Sequence, residues 1–225
     1  MTGEGSEMVE KHEDSGSCTF CKGAVPQDMF EILMNGVFAF VMTLIVKNNI
    51  PLPSVSNAED FSFIATYVDQ ISSESSNFIF TFGILAVFYI LFFEMMRSIR
   101  HLDRFFVYVS FGFILSIIFI PLTSLLWTFS DMPMPYGVLF HINILCTGLL
   151  MATLWRHASH HQKLVLPEIS EKTIKNLFLR MLIFPATAVA GLLIDGWDGS
   201  FGSIPITELY LVPIVLFVFF SRDSK

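Results

Sequence analysis

Gly36-Val37-Phe38-Ala39-Phe40-Val41-Met42-Thr43-Leu44-Ile45-Val46, followed by Pro51-Leu52-Pro53, is the stretch on which the reading of this chain turns. Over 29–46 a single charge, Glu31, interrupts an apolar run. A helix needs about 20 predominantly apolar residues, within about 17–25, to cross a hydrocarbon core ~30 Å thick, so this run predicts a membrane span. Comparable blocks follow at 77–96, 105–127, 136–155, 177–194 and 204–220, which makes six. The last is short and holds both Glu208 and Pro213.

Composition agrees with the blocks. With 53% apolar residues, 25 Phe and only 15% charged residues, the chain carries more apolar surface than a soluble domain of its size would bury. Gly36, Pro121, Gly148, Pro185 and Pro213 fall inside spans; neighbouring helices in a bundle can satisfy the backbone groups that such residues free. The expected fold is all-α, a polytopic membrane protein with six transmembrane helices at 28–221 behind an acidic tail at 1–27.

Basic residues set the orientation. With a cytoplasmic N-terminus, every one of the 13 Lys and Arg except Lys47 falls on the inner side, as the positive-inside bias requires. Both termini are therefore expected in the cytoplasm, and the cell membrane is the expected location. Trp127 and Trp197 fall at outer ends and Trp155 at an inner end, where interfacial aromatic belts lie. The outer connections carry Glu59, Asp60, Asp69, Glu74, Asp131, Asp195 and Asp198. Such a surface either concentrates cations or only keeps the loops soluble. Net charge is −7, and no nucleic-acid partner is expected.

The tail is rich in Gly, Ser and Glu, which predicts disorder, and it lacks the basic start and apolar core of a signal peptide. Cys18-Thr19-Phe20-Cys21 is half of a thiolate zinc site or a redox dithiol by spacing. No second pair accompanies it, so no metal and no cofactor is expected and the thiols read as an idle cytoplasmic pair. Between the first two spans, Phe61, Ile64, Ala65, Val68 and Ile71 recur at helical spacing, which predicts a short amphipathic helix at the outer interface or on the bundle. A second such stretch is expected at 169–177, leading into the fifth span. His157 and His161, four apart, could share a metal, but they lie just inside the membrane, where polar residues are expected anyway.

Ionisable residues within spans are functional candidates by default. They are Lys47, Glu94, His141 and Glu208. Glu94 and Arg97, three apart on one helical face, are expected to pair. No paired carboxylates, serine elbow, nucleotide loop or metal-ligand cluster stands in a span, so no enzyme is expected.

From Met29 to about Lys163 the chain resembles the transmembrane protein 175 family, potassium channels of lysosomes, bacteria and archaea without the usual filter loop. That family's first helix reads Arg-x-Glu-x-Phe-Ser-Asp-Gly-Val-Phe-Ala-Ile-x-x-Thr-Leu-Leu. The matching run here is Met29-Phe30-Glu31-Ile32-Leu33-Met34-Asn35-Gly36-Val37-Phe38-Ala39-Phe40-Val41-Met42-Thr43-Leu44-Ile45. Asp103, the third span and Phe119-Ile120-Pro121-Leu122-Thr123 match a second family motif at the same spacing. Met29 and Asn35 replace the motif's Arg and Asp, and Phe92 and Phe93 stand where the family has paired histidines. Losing that polar network in concert implies a divergent member braced by apolar packing.

The resemblance implies a homotetramer whose pore is lined by the first helix, passing potassium passively through the lipid bilayer. Residues three, four and seven apart share a helix face, so Phe40, Thr43, Leu44 and Lys47 form one stripe. On the family pattern Phe40 narrows the pore, Thr43 supplies a hydroxyl ring and Leu44 adds a second apolar constriction. Glu31, Asn35 and Gly36 belong to the first-helix motif. The plainer reading of Thr43 is a hydroxyl bonded to its own helix. Lys47 at the outer mouth either opposes cation entry or turns to the lipid interface. The rival classes are a secondary transporter, which would show internal repeats and broken half-helices, and a non-conducting membrane scaffold.

Overall fold

Helices form where the apolar blocks lie, because a backbone without water must satisfy its own N–H and C=O groups and the helix does so within one segment. The computed structural model describes residues 27–49, 61–127, 136–160, 164–197, 209–215 and 217. The named helices are α1 (Gln27–Asn49), α2 (Phe61–Ser98), α3 (Arg104–Trp127), α4 (Tyr136–Ser159) and α5 (Glu171–Trp197). All five are long and apolar enough to cross a membrane. A sixth stretch is helical over 209–215; the rest of the predicted last span, with Glu208, lies outside the described residues, as do the tail with Cys18 and Cys21, and His161.

One boundary differs from expectation. The amphipathic stretch before the second span is not a separate interfacial helix: α2 runs unbroken for 38 residues, about 57 Å at 1.5 Å per residue. It therefore outruns a ~30 Å hydrocarbon core by several turns. The stretch at 169–177 likewise becomes the first turns of α5.

In the bundle, α1 packs on α2 and α3, α3 on α4, and α4 on α5, with α2 also touching α5. Phenylalanine fills the centre. Phe92 of α2 stacks on Phe113 of α3, centroids 5.8 Å apart, and stands 6.2 Å from Phe38 of α1; Phe30, Phe88 and Phe106 extend the cluster. Aromatic pairs at such separations contribute about 0.5–1.5 kcal/mol each beyond buried area. Phe92 thus braces α1 by packing, as the sequence implies. Phe93 does not: it is exposed, stacked on Tyr89.

Two glycines set the α4–α5 approach. A Cβ at Gly148 would collide with the Pro185 ring, and one at Gly191 with the His141 ring. Without lipid–water discrimination to drive helices together, small residues that let backbones close up carry much of the association. Buried polar side chains are paired. Thr81 and Ser124 hydroxyls lie 2.5 Å apart, Ser124 donates to Asn77 at 3.0 Å, and Ser116 and Thr147 lie 2.6 Å apart. Among the described residues no buried side-chain nitrogen or oxygen lacks a partner.

At the basic end, the α2–α3 link pairs with residues after α4: the Arg100 N–H donates to Leu164 O at 2.7 Å and the Leu166 N–H to Ser98 O at 3.0 Å. Asp103 caps α3 by accepting from the Phe106 N–H at 2.8 Å. Trp155 is not the lipid-facing belt residue its position suggests. It is fully buried, and its indole N–H donates to Ile174 O at 3.0 Å, pinning α4 to the start of α5.

Candidate functional site on the first helix

α1 carries two apolar stripes back to back. Phe30, Met34, Phe38, Val41 and Ile45, spaced by three or four, are buried against α2 and α3. On the opposite side Met29, Ile32, Gly36, Phe40 and Thr43 are exposed. Only 28% of the α1 span is buried within the chain, against 50% of the α2 span. A helix apolar all round is one surrounded by apolar material on every side, so the outward stripe of α1 awaits lipid or another protein surface.

The family-derived residues fall into this frame as follows. Phe40 is 61% exposed, at the middle of the outward stripe. Thr43 is exposed, and its hydroxyl donates to Ala39 O at 2.7 Å. That bond uses the hydroxyl proton within the helix and leaves the oxygen lone pairs on the outward side. Leu44 is half-buried at the edge of the stripe. Lys47 lies within α1, but its side chain is outside the described residues. Gly36 has no atom within 4 Å of where a Cβ would stand, so the outward face is flat there.

Glu31 and Asn35 hold the flanks. Gln27 Nε2 donates to Glu31 Oε1 at 3.2 Å and to Met96 O at 3.1 Å, tying the start of α1 to the end of α2. The Tyr89 hydroxyl donates to Asn35 Oδ1 at 3.3 Å. Asn35 therefore keeps a polar tie to α2 where the family motif has an aspartate. Tyr89 escaped sequence reasoning because its partner lies in another helix.

The other candidates are structural in setting. Glu94 pairs not with Arg97 but with Arg180 of α5, Oε2 to Nη1 3.3 Å, and the Arg97 guanidinium sits 5.7 Å over the Phe93 ring. His157 bonds Asp103, Nε2 to Oδ2 2.7 Å, beside the Phe105 ring. Burial pushes the Asp103 carboxyl up, but the His157 hydrogen bond, the Phe106 N–H and the His157 charge outweigh it and hold the group below the ordinary carboxylate value. His141 is buried and lies 2.8 Å from the Tyr210 hydroxyl. Among the described residues no three His, Cys, Asp or Glu converge as a metal site.

One feature no motif announced is the treatment of Pro121. A proline inside a helix removes an N–H and loosens the preceding turn. Asn143 of α4 reaches that turn: in the amide orientation its neighbours require, its nitrogen donates to Ser116 O at 3.2 Å and its oxygen accepts from the Ile120 N–H at 3.1 Å. The side chain thus meets the C=O and the N–H of one i, i+4 pair in the turn before the proline.

Residues 29–121 match the family model described as endosomal/lysosomal potassium channel TMEM175. The fold is similar to the crystal structure of a lysosomal potassium-selective channel TMEM175 homolog from Chamaesiphon minutus, with a TM-score of 0.64 and 16% sequence identity over 88% of this chain and 98% of that one. No curated protein sequence matches the chain.

Proposed function

We propose that this chain, whose residues 29–121 match the family model described as endosomal/lysosomal potassium channel TMEM175, is a passive, non-enzymatic potassium channel whose pore is lined by the outward stripe of α1 from four copies. The observation that carries this reading is the apolar stripe Met29, Ile32, Gly36, Phe40 and Thr43, which no part of the protomer's described residues covers. A fourfold arrangement would turn it toward an axis. Phe40 would then form the narrowest ring, where a water-free apolar constriction blocks ions by the cost of desolvation. Thr43 supports the reading in its chemistry: with its proton donated to Ala39, it offers lone pairs, which replace part of a cation's hydration shell. Leu44, at the stripe's edge, would narrow the path one step further on, and Lys47 would sit at the mouth. Selection would then need no re-entrant filter loop.

The test is flux. Purified protein in liposomes should pass potassium down its gradient, sodium less, and chloride not at all. Intact oligomers that pass no cation would overturn the channel and leave a membrane scaffold.

A further inference from the structure

At the basic end, α2 and α5 diverge around a groove of about 270 Å³. We propose that this groove binds the phosphate headgroup of an anionic phospholipid. Its walls are Glu94, Arg97 and Ser98 on one face of α2, and Thr173, Asn176 and Arg180 on one face of α5. The α2 span ends at Ser98 and the α5 span begins at Glu171, so the groove opens where both spans end, beside the headgroups.

Charge favours an anion there. Two arginines, Arg97 and Arg180, and one carboxylate, Glu94, line it. Arg100, Lys172 and Lys175 are exposed around the same end, against the exposed Glu168 and Glu171. Arginine suits phosphate because its planar fork of donors matches the oxygens, and the first turn of α5 adds the positive end of a helix dipole. The Glu94–Arg180 contact, at 3.3 Å, is longer than the 2.7–2.9 Å of a strong charge-assisted bond, so a phosphate competes with it on good terms. Basic pockets between helices at the cytoplasmic face are a recurrent chemistry for acidic headgroups.

A lipid is favoured over a soluble phosphate by what continues from the groove. Ile90, Phe93 and Arg97 form one stripe of α2, and Ile90 and Phe93 are exposed, 40% and 46%. A phosphate held by Arg97 would therefore lay its acyl chain on an apolar track already in line with it.

The full-length protein, taken from phosphatidylcholine vesicles containing phosphatidylserine or a phosphatidylinositol phosphate, should retain the anionic lipid in preference to phosphatidylcholine by native mass spectrometry. Arg97→Gln, an exposed change that leaves thermal unfolding in place, should weaken retention by about tenfold, the scale of one hydrogen bond to a charged group. Glu94→Gln removes the competing carboxylate and should strengthen it. Glycerophosphate and inorganic phosphate should not displace the lipid. Equal retention of neutral and anionic lipid, or no change in Arg97→Gln, would overturn the proposal. Displacement by either soluble phosphate would overturn its lipid part. Ion conduction is not read, so failure here leaves the channel reading standing.

Discussion

Phe38 and Phe40 are two residues apart, and the helix turns them to opposite sides: Phe38 is 2% exposed and Phe40 61%. Phe38→Ala should open a cavity among Tyr89, Phe92 and Phe113 and cost about 3–5 kcal/mol in detergent unfolding. Phe40→Ala should leave unfolding almost unchanged, raise flux and lower the preference for potassium over sodium. Unaltered flux from intact Phe40→Ala oligomers would remove the proposed constriction. Asp103 has a different readout. Its carboxyl is held below its ordinary value, so its contribution is complete above the unfolded value near 3.9 and is lost as pH falls through the lower folded value. Asp103→Asn should flatten the stability–pH curve below about pH 4, measured by thermal unfolding across an acid series; an unchanged slope would show that the His157 contact contributes nothing. At this scale spacing alone puts Phe40 and Thr43 on one face of α1, and the burial of Phe38 shows that this face is the outward one. The sequence misassigns Glu94, because Arg97 is the neighbour along the helix whereas the chosen partner, Arg180, is 86 positions away.

Among the elements, α3 and α4 are joined by Asn143 across the Pro121 break. Asn143→Leu would leave Ser116 O and the Ile120 N–H unbridged, and should cost about 1–3 kcal/mol. Pro121→Ala rebuilds the helical ladder, so in that background the Asn143→Leu penalty should shrink. A double-mutant cycle in detergent unfolding measures the coupling, and additive penalties would show that Asn143 does not serve the break. The proline is visible in the sequence, but the side chain that serves it belongs to another helix and carries no local signal. The start of α2 is hidden for another reason. Apolarity marks where lipid begins, near Asn77, while the hydrogen-bonded ladder is indifferent to solvent and continues to Phe61.

For the molecule as a whole, the basic asymmetry predicts that both termini lie in the cytoplasm. A cysteine introduced at Asp131 should react with a membrane-impermeant thiol reagent in intact cells, and Cys18 and Cys21 should not; labelling of the tail alone would reverse the topology. The chain's sequence by itself determined that it is a helical membrane protein and roughly where its spans fall. These properties depend on local composition and on periodicity, both of which a helix expresses without help from its neighbours. Only the tertiary structure decided that Phe92 rather than Phe93 enters the aromatic core, that Trp155 is buried against α5, that Glu94 answers to Arg180, and that Gly148 and Gly191 bring α4 and α5 together. Each of these is a contact between residues far apart in the chain, chosen by which helices become neighbours and at what rotation, and spacing within one helix does not encode it.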